Sequence, residues 1–295
     1  MISLQILCSG TPTPNEIRWG SAYALSMGMG NEWFMFDCGP AATYKLVKSG
    51  ISPLQISHLF FTHHHSDHDL DYPCFLLTRW ERSIGIEENL NIYGPPPTEL
   101  LTKRLIDLDV GAYAHDFIAR TRHPLSLNAY QMRGGTLPRL LPEYVAKDIL
   151  PGDVVETQKT RITSALAEHV QPYLDSLAYR VEADNLSIVF TGDTRPCQSV
   201  IDLAKNVDYL VCICSGLQSD IAGTPEDDYQ SGSLDAGMMA KEANAANLLL
   251  VHEGYNLSNP ENLEEAVRGI KSIYDGNVIQ TYELTTYDLK GEAVI

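Results

Sequence analysis

Positive charge is what this chain of 295 residues has least of: 21 Lys and Arg stand against 38 Asp and Glu, a formal net charge of −17. Nucleic acids are gripped chiefly through phosphate neutralisation by Lys and Arg. The whole-molecule balance therefore argues against a nucleic-acid partner and for a small-molecule substrate, although bound divalent cations would offset the negative charge locally. Cysteine is present but unorganised. Cys8, Cys38, Cys74, Cys197, Cys212 and Cys214 show no C-x-x-C spacing, so a redox motif is not expected and the thiols read as buried and reduced. Long apolar runs are missing too. No stretch approaches the ~20 residues that span a bilayer, and no basic n-region precedes the apolar segment 2–7. No repeat with a period of roughly 20 to 50 residues and no low-complexity tract is found. These absences lead to the expectation of a cytoplasmic protein without membrane contact.

What is there is ordinary globular material, 44% hydrophobic and 20% charged, enough for a sizeable core. One large domain over 1–295 is expected at this length. The pattern is one of short strands alternating with helices. Strands are expected at 2–8, 21–27 and 32–37, broken by Gly10-Thr11-Pro12-Thr13-Pro14 and by Gly28-Met29-Gly30. A helix follows over 41–49, and then His58-Leu59-Phe60-Phe61-Thr62 reads as a buried strand that ends in a histidine cluster. Helices at 71–82 and 97–107 flank a strand at 90–93, whereas 108–150 shows no sustained period and reads as an insertion or lid. The second half repeats the style, with strands at 161–167, 177–182, 186–191, 208–214, 247–251 and 278–284 and helices at 197–205, 234–246 and 261–274. Two strand-rich halves that each carry helices predict an α/β fold, an αββα sandwich of two mixed β-sheets, with the loops of both halves meeting at one edge.

Chemistry is concentrated in Thr62-His63-His64-His65-Ser66-Asp67-His68. A loop that curls back aims alternate side chains at one point, so His63, His65 and Asp67 converge, His68 serves a second point close by, and His64 is turned away. His169, Asp193 and His252 each lie at or just past an expected strand end, where loops carry function on a rigid scaffold. A lone histidine is more often a satisfied core residue than a ligand, but a crowd of ligand types with remote partners at strand ends reverses that weighting. Imidazole nitrogen with carboxylate oxygen suits zinc, with iron or manganese as alternatives, and the lack of nearby cysteine argues against a closed structural zinc site.

The pattern His63-x-His65-x-Asp67-His68, then His169, Gly192-Asp193-Thr194 and His252, resembles the metallo-β-lactamase superfamily over nearly the whole chain. The resemblance implies two divalent metal ions, with His63, His65 and His169 on one, Asp67, His68 and His252 on the other, and Asp193 bridging. It implies a hydrolase whose nucleophile is a metal-activated hydroxide, with Asp67 also orienting it as a catalytic residue. Gly10-Thr11-Pro12-Thr13-Pro14, Phe36-Asp37-Cys38-Gly39-Pro40 and Thr191-Gly192-Asp193-Thr194-Arg195-Pro196 are similar to the ribonuclease Z and arylsulfatase-like branch. One departure stands out. Where ribonuclease Z carries His-Glu-Ala-Thr, this chain has Cys212-Ile213-Cys214-Ser215, so the Glu–His pair of that family is missing.

With the charge balance, this departure ranks a small ester-like or phosphodiester substrate first and tRNA 3′-end cleavage second; lactones, sulfate esters and activated aryl halides are further alternatives. Tyr255, Glu253, Tyr173 and His123 are candidates for the proton donor. Asp37 and Asp69 are weak candidates for orienting ligand histidines, and no role is assigned to them. The aromatic and Arg-rich stretch 108–140 suits a roof over the metal cleft and a homodimer contact equally.

Overall fold

The computed structural model describes residues 2–26, 28, 32–85, 89–183 and 186–289. Apart from Gly28, the expected turn Gly28-Met29-Gly30 lies outside the described residues, as does Met27. Strands are β1 (Ser3–Ser9), β2 (Ser21–Ser26), β3 (Trp33–Phe36), β4 (Ile56–Phe60), β5 (Leu90–Gly94), β6 (Tyr144–Asp148), β7 (Val154–Glu156), β8 (Arg161–Leu166), β9 (Leu177–Ala183), β10 (Leu186–Phe190), β11 (Tyr209–Ile213), β12 (Asn247–Val251), β13 (Asn277–Gln280) and β14 (Thr286–Asp288). Helices are α1 (Ala42–Lys48), α2 (Ser66–Asp69), α3 (Tyr72–Ser83), α4 (Thr98–Ile106), α5 (Ala114–Arg122), α6 (Pro124–Met132), α7 (Gln198–Leu203), α8 (Gln218–Ile221), α9 (Ser233–Glu242) and α10 (Pro260–Lys271).

Two seven-stranded sheets form, in the orders β14-β1-β2-β3-β4-β5-β6 and β13-β12-β11-β10-β9-β8-β7. Both are mixed. In the first, β3, β4, β5 and β6 are parallel neighbours and the other pairs antiparallel; in the second, β10, β11, β12 and β13 are the parallel set. Parallel strands covered on both faces need continuous apolar sequence, which β10 (Leu-Ser-Ile-Val-Phe) supplies, buried throughout. Between the sheets lie Ile6, Phe36, Phe60, Tyr179, Phe190 and Leu249. Leu46 of α1 and Phe75 and Leu76 of α3 cover the outside of the first sheet, and Ile201 of α7, Met239 of α9 and Ile270 of α10 cover the second. The expected αββα sandwich is the observed architecture.

The stretch 108–150, whose sequence shows no sustained period, is nevertheless regular in the structure. It holds α5, α6 and the edge strand β6, which extends the first sheet beside β5. Its helical period was hidden because each short helix buries one side chain, Phe117 in α5 and Tyr130 in α6. These pack on the C-terminal half of α3: Phe117 lies 4.7 Å from Trp80, ring centre to ring centre, and Arg139 stacks over Trp80 at 4.0 Å. Glu81 gathers Arg120, Arg133 and Arg139 at 3.0, 2.6 and 2.7 Å.

What positions the site is the direction of the two parallel sets. Asp37 follows β3, the histidine loop follows β4, Asp193 follows β10 and His252 follows β12, so strand ends of both sheets deliver these residues to one edge. Two bonds lock the sheets together there: Tyr179 Oη–H donates to the Phe61 carbonyl (2.6 Å) and Leu177 N–H to the Thr62 carbonyl (2.8 Å). Phe36 and Phe190 stack across the interface with centroids 4.0 Å apart. Replacing Phe190, 1% exposed, by Ala is expected to lower unfolding free energy by about 3–5 kcal/mol. Met132→Ala, at a side chain 90% exposed, should stay within about 0.5 kcal/mol. Urea titration of both variants checks the contrast.

Candidate metal centre

The histidine loop is shaped from below by Asp37. Its backbone adopts a left-handed φ of 59°, a conformation Asp tolerates better than most residues. One carboxylate oxygen accepts the Thr62 N–H at 2.7 Å, and the other accepts the Thr62 hydroxyl at 2.9 Å and His68 Nδ1–H at 2.8 Å. The single turn α2 then presents Asp67 and His68 inward, held by His68 N–H to the His65 carbonyl (2.9 Å) and Cys38 N–H to the His68 carbonyl (2.7 Å). Two glycines permit this closeness. A Cβ on Gly39 would fall on the Asp67 carbonyl oxygen, and one on Gly192, whose φ is 59°, would sit 2.7 Å from Thr62 Cβ.

Two groups of ligand atoms result. In the first, His65 Nδ1 lies 3.1 Å from both His63 Nε2 and His169 Nε2. In the second, His252 Nε2 lies 3.1 Å from Asp67 Oδ2 and 3.2 Å from Asp193 Oδ2, while His68 Nε2 lies 3.3 Å from Asp193 Oδ1 and 3.5 Å from Asp67 Oδ2. His63, His68 and Asp193 form a third close set that joins the two. Ligands held at 2.0–2.1 Å around a tetrahedral ion stand roughly 3.3 Å from one another, so the spacing fits divalent cations. Orphaned atoms fit them as well. His68 Nε2 and Asp193 Oδ1 are buried without a hydrogen-bond partner among the described residues, an arrangement that is costly unless something unseen satisfies them.

Residues 19–252 match the metallo-beta-lactamase superfamily. The chain belongs to that superfamily, and is a metal-dependent hydrolase of it. A ribonuclease Z of Methanothermobacter thermautotrophicus is 25% identical, the match covering 98% of each chain, and one of Mycolicibacterium paratuberculosis is 29% identical over 85% of this chain and 86% of its own. Among solved structures, the metallo-beta-lactamase fold protein YhfI of Bacillus subtilis superposes with a TM-score of 0.71 at 18% identity, covering 97% of this chain and 98% of its own. The short form of human tRNase Z superposes with a TM-score of 0.67 at 18% identity, covering 97% and 99%. These relatives overturn the expectation of a small-molecule substrate with nucleic acid disfavoured. Net charge is a sum over the whole surface, whereas a polyanion meets a local patch. Within 103–147 seven Lys or Arg stand against four Asp or Glu. No helix among the described residues is long and apolar enough to cross a membrane.

Charge in the superfamily site is divided between its two groups. Burial holds His63 well below the ordinary imidazole range and lowers His65, so both present lone pairs near neutrality. Burial also pulls on His68 and His252, but there the carboxylates win: Asp193, Asp37 and Asp67 hold His68 well above its ordinary value, and Asp193 and Asp67 raise His252. Against the same desolvation, His252 and His68 keep Asp193 far below the usual carboxylate range, and His68 and His252 lower Asp67. In the second group the carboxylates thus favour the protonated over the neutral form of the imidazoles.

The structure brings His63, His65, Asp67, His68, His169, Asp193 and His252 together. His64 faces elsewhere, between Asp69 (3.1 Å) and the Thr98 hydroxyl (2.8 Å). Asp37, given no role from sequence, orients His68; its position at the end of a strand parallel to β4 was the available signal. His169 Nδ1–H donates to the Tyr229 carbonyl at 2.8 Å, a backbone partner that no side-chain pattern announces. Of the proposed proton donors, Glu253 is fully buried against Arg18 at 2.6 Å, and burial, opposed by Arg18, pushes its carboxyl up to about 8. Tyr173 and Tyr255 are 93% and 75% exposed, and His123 is the residue before the first turn of α6.

Metal binding and pH should be linked with a definite sign. A histidine whose folded pKa lies above its unfolded value of about 6.5 adds stability that is complete below that value and is lost as pH rises through the folded one. His68 and His252 are of this kind in the metal-free protein, and cations must displace their protons. The melting-temperature gap between zinc-loaded and chelator-treated protein is thus expected to widen from pH 6 to pH 8; a gap constant over that range would contradict the assignment. Asp37→Ala should weaken zinc affinity by about 10–100-fold, measured by competition with a chromogenic chelator.

Proposed function

We propose that the chain hydrolyses phosphodiester bonds of RNA, in the sense that the name ribonuclease Z carries for its relatives, with two divalent cations, zinc foremost, held by the seven convergent side chains. The observation that carries this reading is Asp193, whose carboxylate stands between the two histidine groups, in a chain matched almost end to end by a ribonuclease Z. His63, His65 and His169 would hold one ion, Asp67, His68 and His252 the other, and Asp193 both. Bound as a pair, such ions lower the pKa of water and neutralise charge on a phosphate.

The chain's own residues do the positioning. Asp37 fixes which nitrogen of His68 carries the proton, and the Tyr229 carbonyl does the same for His169. Asp67, kept ionised by His68 and His252, is the group available to orient the nucleophile. RNA would approach over the basic stretch that includes Arg104 and Arg122, neither of which is ion-paired among the described residues. The departing oxygen receives no help from the end of β11: Cys212 and, just past the strand, Cys214 are buried in the core behind the second sheet, and desolvation pushes the Cys212 thiol up to about 12.

Zinc- or manganese-loaded protein is accordingly expected to cleave a precursor tRNA, to lose the activity on chelation and to lose at least about 100-fold in the Asp193→Ala variant. Without a general acid, rates on aryl phosphodiesters should fall steeply as the leaving-group pKa rises. Intact RNA after incubation with metal-loaded protein that still hydrolyses lactones or carboxylic esters would overturn the proposal.

A further inference from the structure

A cavity of about 570 Å³ opens between the loop 14–17 after β1 and the turn Tyr255–Ser258 with the start of α10. We infer that it is a nucleobase subsite, in which an unpaired base of the RNA stacks on Tyr255 and presents its amino edge to Glu16, Asn256 and Asn262. The inference rests on the RNA reading above and adds the part of the substrate that the metal centre does not touch.

Volume and lining select this ligand class. The cavity is within the range of small-ligand pockets and is lined without Lys or Arg, its one ionised side chain being Glu16. A phosphate is repelled there; a flat, neutral ring bearing N–H donors is not. Tyr255 is 75% and Ile17 55% exposed, so the lining combines an unpacked aromatic face with an aliphatic one. Bases stack on aromatic side chains with little regard to sequence.

Hydrogen-bonding capacity narrows the choice. The Asn256 amide nitrogen donates to Asp220 (3.2 Å) and that of Asn262 to the Asn256 carbonyl (3.0 Å), leaving both side-chain oxygens as acceptors without a partner among the described residues. Glu16 has no ion pair among the described residues and adds a third acceptor. Asn259 contributes the opposite group, since its oxygen accepts Glu261 N–H at 3.0 Å and its amide nitrogen remains. An acceptor-rich wall favours the bases with exocyclic amines, adenine, cytosine and guanine, over uracil.

The cavity is also built, and built onto the metal centre. Asn15 Nδ2–H donates to Ser258 Oγ at 2.9 Å and ties its two walls together, while Asn15 Oδ1 accepts the N–H groups of Ile17 and Arg18 at 3.0 and 2.9 Å. Arg18 in turn pairs at 2.6 Å with Glu253, the residue after His252. A base seated here is thus referenced to a ligand of the second group through Asn15 and the buried Arg18–Glu253 pair.

Titration of zinc-loaded protein with adenosine, cytidine, uridine and ribose, followed by amide NMR shifts, tests the assignment without requiring turnover. Adenosine or cytidine should bind at least about fivefold more tightly than uridine, with ribose inert. Tyr255→Ala, at an exposed position, should fold normally and weaken nucleoside binding about tenfold, whereas Tyr255→Phe should retain it. Equal shifts for ribose and nucleosides, or an unchanged affinity in Tyr255→Ala, would overturn the subsite. Nucleoside binding at 255–262 together with uncleaved RNA would keep the subsite and remove the ribonuclease reading; RNA cleavage with no nucleoside preference would do the reverse.

Discussion

Three converging imidazole nitrogens, that of His65 3.1 Å from each of the other two, are not a self-sufficient arrangement. Lone pairs that converge cannot satisfy one another, and burial removes much of the water that would. The scaffold must impose that crowding, and the stacked sheets do so. Phe36, Phe60, Tyr179 and Phe190 fill the interface directly beneath the loops, and Tyr179 and Leu177 reach across to the backbone of Phe61 and Thr62. The apolar core and the polar site are coupled in chain order: Phe36 is followed by Asp37 and Phe60-Phe61 by Thr62-His63, so the residues that pack the sandwich are bonded to those that aim the ligands.

Much of this was legible in the sequence because it depends on local order. Strand-then-ligand spacing placed all seven converging residues at strand ends or in the loop after β4, and alternation within 62–68 separated His63 and His65 from His64. The αββα layering followed from the same strand and helix rhythm. Features that depend on who stands next to whom were not legible. Asp37 meets His68 only because β3 and β4 are parallel neighbours, and the acceptor of His169 is a backbone carbonyl 60 residues away. Helices α5 and α6 escaped because each buries a single side chain, which leaves no hydrophobic period to find.

Charge gave the most instructive misdirection. A formal net charge of −17 describes how the molecule behaves at distances longer than a Debye length, about 8–10 Å at ordinary salt. It does not describe a surface touched by a phosphate. Asp67 and Asp193 contribute to that total, yet sit at most 3% exposed within a group of histidines, facing a point where cations would cancel them. Three arginines of the basic stretch are drawn onto Glu81, so even a local count overstates the charge available; position and pairing decide.

The Arg18–Glu253 pair shows how the second half of the site is held in register. Buried ion pairs return little net stability, because desolvation of both charges offsets their attraction, but losing either partner strands the other. Arg18 also donates to Ser9 Oγ (2.7 Å) and to the Thr281 carbonyl (3.0 Å), while Glu253 N–H donates to the Ser9 carbonyl (2.8 Å). The loop after β1, the turn after β12 and the segment after β13 therefore meet at one guanidinium. His252 lies next to this knot with a left-handed φ of 55°, a conformation that a residue with a Cβ keeps only when its surroundings over-determine it. The Arg18–Glu253 contact thus acts geometrically: it ties the residue after His252 to the loop after β1, whose Asn15 in turn bonds Ser258 across the asparagine-lined cavity.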